Sequence, residues 1–461
     1  MNANLFRILC LLVCGVGLLF LQSFLLQYIT RKAKVLPEEQ TWGIEDVLDA
    51  ARRSSFPLFI LDPNILQCFL ERSTVDDRSS CLGLIRQQPI VQFGSLGQFA
   101  SRQEESFITA FPPKAAKPVK LSVPNPKILA HGLQVLIPTH YFVSLKTQLM
   151  HIVIFHERPG NFWWHAAANM SADLPFDAKG DLPYLKTDGA YDRYNGYTYR
   201  ILQAFDAFVF FNFARVEILP VSLNSIETFA PTPPESFLKE QPFIECNETR
   251  ARIFHTLHGR DESPEAELFR LKVRRLLAKV KQLLDQLDVP FWISSGTCLG
   301  FYRQCDVIPY TTDVDIGVFI KDYKPEIISV FSMYDLPLTH LFGKVEDSYE
   351  LSFRDKDIKL DIFFFYEEDS YVWNGGTQAR TGKKFKYIFP IFQLCWTEFL
   401  DLKLRIPCET NKYIEANYGQ NWFQPLKQWD WKASPPNVAE NGVWPVEEWS
   451  RVIQLFPLQD F

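Results

Sequence analysis

The sequence has no surplus of positive charge: 48 Lys and Arg stand against 54 Asp and Glu, a formal net charge of −6. Nothing basic is available to track a nucleic-acid backbone, so a polymer of phosphates is excluded as partner and only discrete phosphate sites in a pocket remain open. Cys-x-x-Cys is absent and the eight histidines show no cluster along the chain, which removes the support for a structural zinc site. No internal repeat occurs. Long disordered stretches are not expected either, because 47% of residues are hydrophobic and 15% aromatic. The 461 residues suggest two or three domains.

A long apolar run opens the chain. No charged residue occurs from Ile8 to Tyr28, and as a helix this stretch would reach about 31 Å, enough to cross a hydrocarbon core. It reads as a cleaved signal peptide or as an uncleaved signal-anchor. Bulky Gln27, Tyr28 and Ile29 stand where a small-residue cleavage site is needed, which favours the anchor. Arg7 before the run and Arg31, Lys32 and Lys34 after it lean against a lumenal C-terminus. The sequons at Asn169 and Asn247, candidate glycosylation sites, argue for one. The expected order is a cytoplasmic tail at 1–7, a transmembrane signal-anchor at 8–28 and a stem at 29–43. Cys10 and Cys14 lie in the run; the other seven cysteines permit disulfides but leave at least one thiol without an intrachain partner.

An accessory lumenal domain is expected over 44–228. Its strand-like runs are Pro57–Leu61, Leu133–Ile137, His151–Phe155 and Ala207–Leu219, with a long loop at Pro112–Lys127. None of it carries a motif with chemistry. A Pro-containing linker at 229–250 leads to a catalytic domain at 251–461. Ser263, Pro264, Glu265 and Glu267 have the residue types of a helix start. Apolar residues then recur with helical spacing from Leu268 and Leu271 to Leu287, before Val289-Pro290 ends the helix. Strands follow at Phe291–Ser294, Val314–Ile320 and Lys359–Tyr366. The fold class expected is α/β or α+β, with a transmembrane anchor, an accessory globular domain and a C-terminal domain around a small mixed sheet.

Three acids carry the chemical case. Asp313 and Asp315 enter a strand, where side chains at i and i+2 share a face, so their carboxylates converge. Asp361 sits in Lys-Leu-Asp-Ile-Phe-Phe-Phe, a run too apolar to be exposed, where an acid needs a partner. One reading gives the three a shared Mg2+ or Mn2+. The other makes Asp313 and Asp315 turn residues and pairs Asp361 with Lys359 or Arg354. Ser295, Gly296 and Thr297 can bring amides and a hydroxyl to a phosphate at a helix start. Arg303, Lys383 and Lys384 are candidate phosphate cations, the lysines being otherwise a solvated loop. Trp373, Trp429 and Trp431 sit among Gly, Asn and Pro, a loop-like setting that suits stacking on a sugar or base.

A strand, a Gly-Ser/Thr turn opening a helix, an Asp-x-Asp strand and a third acid together resemble nucleotidyltransferase-fold enzymes. The run Gly296-Thr297-Cys298-Leu299-Gly300 with Arg303, then Ile308-Pro309-Tyr310 and Asp313-Val314-Asp315, resembles the LicD family of phospho-alcohol transferases. Trp373–Gly376, Gly382–Tyr387, Tyr413–Gly419 and Trp429–Asn437 resemble one branch of it. The resemblance implies a type II protein of the Golgi membrane. It would transfer ribitol 5-phosphate from CDP-ribitol to a terminal N-acetylgalactosamine of the O-mannosyl glycan on α-dystroglycan, beside other enzymes of that glycan. LicD relatives often carry further acids just before the position of Asp313; here Thr311 and Thr312 stand instead, so Asp313, Asp315 and Asp361 must suffice, the last as ligand or as base. The alternatives are another phospho-alcohol transferase, or a non-catalytic Golgi scaffold or chaperone for glycosyltransferases.

Overall fold

The computed structural model describes residues 43–71, 81–88, 90–111, 118–129, 134–145, 148–160, 162–166, 204–206, 217–223, 226–232, 237, 242–426 and 428–457. The apolar run at 8–28, Asn169 and the tail 1–7 lie outside them. No described helix is long and apolar enough to cross a membrane.

The described N-terminal residues build a nine-stranded sheet whose main path runs 119–124, 136–144, 149–158, 90–96, 59–60, 226–232, 217–223, with 162–164 and 204–206 branching off. It is mixed: 90–96 pairs parallel with 149–158, and Phe59 pairs parallel with Phe229. Helices Ile44–Arg53, Pro63–Glu71 and Gly97–Thr109 supply apolar faces to its core. Two sequence expectations change here. The stretch expected as a long loop contains strand Val119–Pro124 and the start of helix Pro126–Leu129. Its proline is tolerated because that strand is the last on the path and Pro124 its final residue. The first residues of the expected linker belong to strand Ile226–Thr232, which pairs with neighbours on both sides.

In the C-terminal domain, helix α1 (Glu248–His258) is capped by Asn247, whose side chain accepts from the Arg250 amide. The Ser263 side chain caps α2 (Pro264–Gln286) by accepting from Ala266. The face of α2 that packs on the sheet is Val273, Leu276, Leu277, Val280, Leu283 and Leu284. Leu268 and Leu271, read as part of that stripe, are half exposed, at 50% and 49%, because they lie on the first turns, away from the buried stripe. The main remaining elements are β1 (Trp292–Ile293), α3 (Ser295–Gln304), β2 (Asp313–Phe319), α4 (Glu326–Met333), β3 (Leu338–Lys344), β4 (Asp347–Asp355), β5 (Ile358–Glu367), β6 (Val372–Gln378), β7 (Lys383–Phe389), β8 (Leu394–Phe399), β9 (Leu402–Pro407), α5 (Thr410–Tyr418), β10 (Val438–Val443) and β11 (Ile453–Leu455).

The sheet is mixed as expected but not small. Among the described residues nine strands take part, along β10-β7-β6-β5-β4-β3-β11, with β2 joined to β5 and β1 to β2. Two of the extra strands, β6 and β7, are the segments read as loops around Trp373 and Lys383. Gly375 and Gly376 obscure the strand in β6. A Cβ at Gly375 would come within 2.2 Å of Ser348 Oγ, so glycine serves close packing there rather than a turn.

Disulfides join Cys68–Cys81, Cys246–Cys305 and Cys395–Cys408, and buried Cys298 stays a thiol. The N-terminal sheet meets the separate two-stranded β8–β9 ribbon at Arg158, which donates to Glu245 (2.8 Å) and Glu398 (2.6 Å) and lies over Trp164. Folding also gathers histidines that are scattered in sequence: His140 Nδ1 lies 3.0 Å from His151 Nε2, with the His165 ring centroid 5.6 Å from that of His140. Burial lowers His140 to about 3 and lowers His151 as well, which keeps both neutral.

Candidate active site

Parallel pairing of β2 with β5 builds the centre. Asp315 stands in register with Asp361, and Asp313 with Lys359. Since i and i+2 on β2 share a face, the register brings three carboxylates to one point. One oxygen from each of Asp313, Asp315 and Asp361 lies within 4.8 Å of the others, and among the described residues this is the group that converges as metal ligands do.

The surroundings hold each acid in place. The Gly296 amide donates to Asp315 Oδ2 at 3.0 Å, and the Asp315 amide donates to Thr297 Oγ1 at 2.9 Å. Thr297 is thus spent on positioning β2. Ser295 adopts a positive φ of 39° at the start of α3, a backbone cost borne where the helix N-terminus meets the acids. Ser352 Oγ donates to Asp361 Oδ1 at 2.6 Å, and Lys359 Nζ pairs with the same oxygen at 2.8 Å. Asp361 therefore has the Lys359 partner that the sequence allowed and also joins the trio, while Arg354 turns to the Lys356 carbonyl.

One cation beside three acids leaves charge uncompensated. Burial pushes Asp315 well above the ordinary carboxylate range, with the Asp313 and Asp361 charges adding to it; burial and Asp361 raise Asp313. Burial opposes the Lys359 charge, but Asp361 carries its ammonium above the usual value. The donor set is all carboxylate, so the chemistry of the trio fits a hard divalent cation.

The trio lies in a cavity of about 650 Å3. Ser295, Gly296, Arg303, Trp429 and Trp431, all candidates from the sequence, line it. Arg303 is 2% exposed and donates to Gln304 Oε1. Trp429 packs on Tyr418 with centroids 4.9 Å apart. The structure does not bring Lys383, Lys384 or Trp373 into the lining. Lys383 pairs with Glu440, Lys384 with Asp347, and Trp373 stacks on Tyr366 at 4.4 Å. All three sit on paired strands, so neighbours on the sheet claim their side chains. Sequence reasoning missed Glu350, Asn374 and a functional place for Lys359. Glu350 had a signal: a single acid in the apolar strand run Tyr349–Phe353, the same argument that found Asp361. Burial, then the Asp361 charge, pushes Glu350 up to about 8.

Comparison with known proteins adds the family. A profile described as "LicD/FKTN/FKRP, nucleotidyltransferase domain" matches residues 288–409, and one described as "Fukutin N-terminal" matches residues 25–203. The chain is 40% identical over 480 aligned residues to "Ribitol-5-phosphate transferase FKTN" of Homo sapiens, covering 99% of each. This chain belongs to the fukutin family. The Mus musculus protein of the same name is 52% identical over 324 residues, covering 69% of this chain and 66% of the relative. The one from Macaca fascicularis is 44% identical over 87% of this chain and 85% of its own length. In this fukutin-family chain the whole acidic trio, with Gly296, Thr297 and Lys359, falls inside the LicD match. Trp429 and Trp431, which also line the cavity, follow it in sequence.

Proposed function

We propose that this chain transfers ribitol 5-phosphate from CDP-ribitol to an acceptor hydroxyl, that of a terminal N-acetylgalactosamine on the O-mannosyl glycan of α-dystroglycan. The observation that carries the reading is the convergence of Asp313, Asp315 and Asp361 in one large cavity of a chain similar throughout to ribitol-5-phosphate transferases. Asp313, Asp315 and Asp361 would hold Mg2+ or Mn2+; when bound, the ion would neutralise charge on the diphosphate. Positioning and charge neutralisation carry phosphoryl-centre substitutions, and little covalent work falls to the protein.

The chain's own groups then have separable tasks. Ser295 and Gly296 open α3 toward the donor phosphates, and Arg303 supplies a buried positive charge in the cavity wall. Thr297 acts through the Asp315 amide and fixes where the second acid stands. Lys359 pairs with Asp361 and offsets part of the negative charge of the trio. Trp429 and Trp431, each more than a third exposed, offer ring faces to cytosine or a sugar. The setting proposed is a single-pass type II protein of the Golgi membrane with its catalytic domain in the lumen and glycans on Asn169 and Asn247. Its companions there would be other O-mannose glycan enzymes, among them fukutin-related protein and the protein O-mannose N-acetylglucosaminyltransferase.

The test is direct. Purified protein is incubated with CDP-ribitol and a glycopeptide acceptor, and CMP release is measured with EDTA and after adding Mn2+ or Mg2+. Transfer should vanish in EDTA, return with the ion, and fall by about 10²-fold or more in Asp313→Asn. Full activity in EDTA, or in that variant, overturns the reading.

A further inference from the structure

Two buried polar groups on neighbouring strands of the cavity wall, Glu350 and Asn374, stand beside the acidic trio. Asp361 is committed to Ser352, Lys359 and the trio. Glu350 is not. It lies on β4 two residues before Ser352, hence on the same face, and opposite Phe363 of the acid-bearing strand β5. Its exposure is 9%, it lines the cavity, and among the described residues no hydrogen bond or ion pair reaches its carboxylate. Asn374, on β6, is 6% exposed and lines the same cavity, and its buried Oδ1 has no hydrogen-bond partner.

Uncommitted acceptors buried in a wall cost stability unless a ligand brings donors to them. A diphosphate cannot, because its oxygens only accept and its charge is repelled by a carboxylate. A hydroxyl can. We propose that Glu350 and Asn374 form the hydroxyl-binding corner of this site, and that Glu350 takes the proton from the attacking acceptor hydroxyl. The inference rests on the transferase reading above. The acceptor oxygen forms a bond to the phosphorus bearing ribitol. The bridging O–P bond breaks with its electron pair leaving on CMP. The hydroxyl proton passes to the Glu350 carboxylate and from there to solvent. Asn374 accepts from a neighbouring hydroxyl of the same sugar and orients it. Asp361 then serves as a ligand and not as the base.

Hydroxyls occur on the acceptor sugar and on the ribitol of the donor, and steady-state kinetics separate the two. Wild-type transfer is established first, with full-length protein, Mn2+, CDP-ribitol and the glycopeptide. Glu350→Gln keeps size and hydrogen-bonding capacity but cannot hold the proton, so kcat should fall about 10²–10⁴-fold with the donor KM unchanged. Glu350→Asp restores a carboxylate at the cost of length and should turn over at least about tenfold faster than Glu350→Gln. A merely structural role predicts the opposite order. Asn374→Ala should raise the acceptor KM about fivefold, the worth of one hydrogen bond, and leave the donor KM alone. Wild-type kcat in Glu350→Gln, an Asp variant slower than the Gln variant, or effects confined to the donor KM would overturn the proposal. In each of those cases the activity of the wild type leaves the transferase reading standing.

Discussion

Replacing Asp315 by Asn should make the metal-free protein more stable while it abolishes transfer. The carboxylate oxygens of the trio lie within 4.8 Å of one another. At that distance, with an effective dielectric near 20, two unit charges repel by about 3.5 kcal/mol. Lys359 is the ion-pair partner of Asp361, at 2.8 Å, and offsets only part of this. Partial protonation relieves more, since Asp315 is held well above the ordinary carboxylate range. The gain from deleting one charge is therefore smaller, about 1–2 kcal/mol. An amide at 315 still accepts from the Gly296 N–H, and its NH2 meets the oxygens of Asp313 and Asp361. For a domain of roughly 200 residues the gain corresponds to about 2–8 °C in Tm. Melting curves of both proteins in EDTA and with Mn2+ read it out. Wild type should melt low in EDTA and climb with the ion; the variant should melt higher in EDTA, ignore the ion, and transfer at about 1% or less of wild-type rate. An Asn variant that melts below wild type in EDTA, or gains as much from Mn2+, refutes the reasoning.

Two further outcomes follow from the charges. Asp313, Asp315 and Glu350 keep their protons to higher pH when folded, whereas unfolded carboxyls lose theirs near pH 4. The native state then binds more protons than the unfolded state, so metal-free stability should fall as pH rises from about 4 toward about 8. Mn2+ affinity should rise over the same interval, because the ligands must ionise; calorimetric titration at several pH values checks both, and flat profiles count against the buried trio. Arg158→Met should cost about 3 kcal/mol by leaving Glu398, 16% exposed, and Glu245, 37% exposed, without their shared cation. Urea unfolding measures it, with kcat of the folded enzyme unchanged, and a loss below about 1 kcal/mol would show that the Arg158 contact is not a clamp.

Much of the site was legible because it depends on local rules. Ser263-Pro264 marks a helix start wherever it lies in a fold, and β2 and β5 were readable from short apolar runs. Asp313 and Asp315 share a face by strand geometry alone, and the apolar neighbours of Asp361 required it to be buried with a partner. The misreadings have a common origin too. Gly375, Gly376 and Lys383 through Lys386 carry loop-like composition. A strand held on both sides by partners tolerates such residues, so β6 and β7 were taken for loops and Lys384 for a phosphate ligand.

What the sequence determined by itself is therefore the chemistry: which three acids, on which strands, beside which glycine turn. What only the tertiary structure decided is their register and their company. Asp315 meets Asp361 because β2 pairs in parallel with a strand more than forty residues later, and a shift of one residue would turn one of the acids to the opposite face. Antiparallel pairing of β4 with β5 delivers Glu350 to the cavity, and β6 delivers Asn374. Folding likewise packed His140, His151 and His165 together in the other sheet. Side-chain alternation along a strand is written in consecutive residues. The alignment of one strand against another comes from packing the whole core, and no local stretch of sequence carries it.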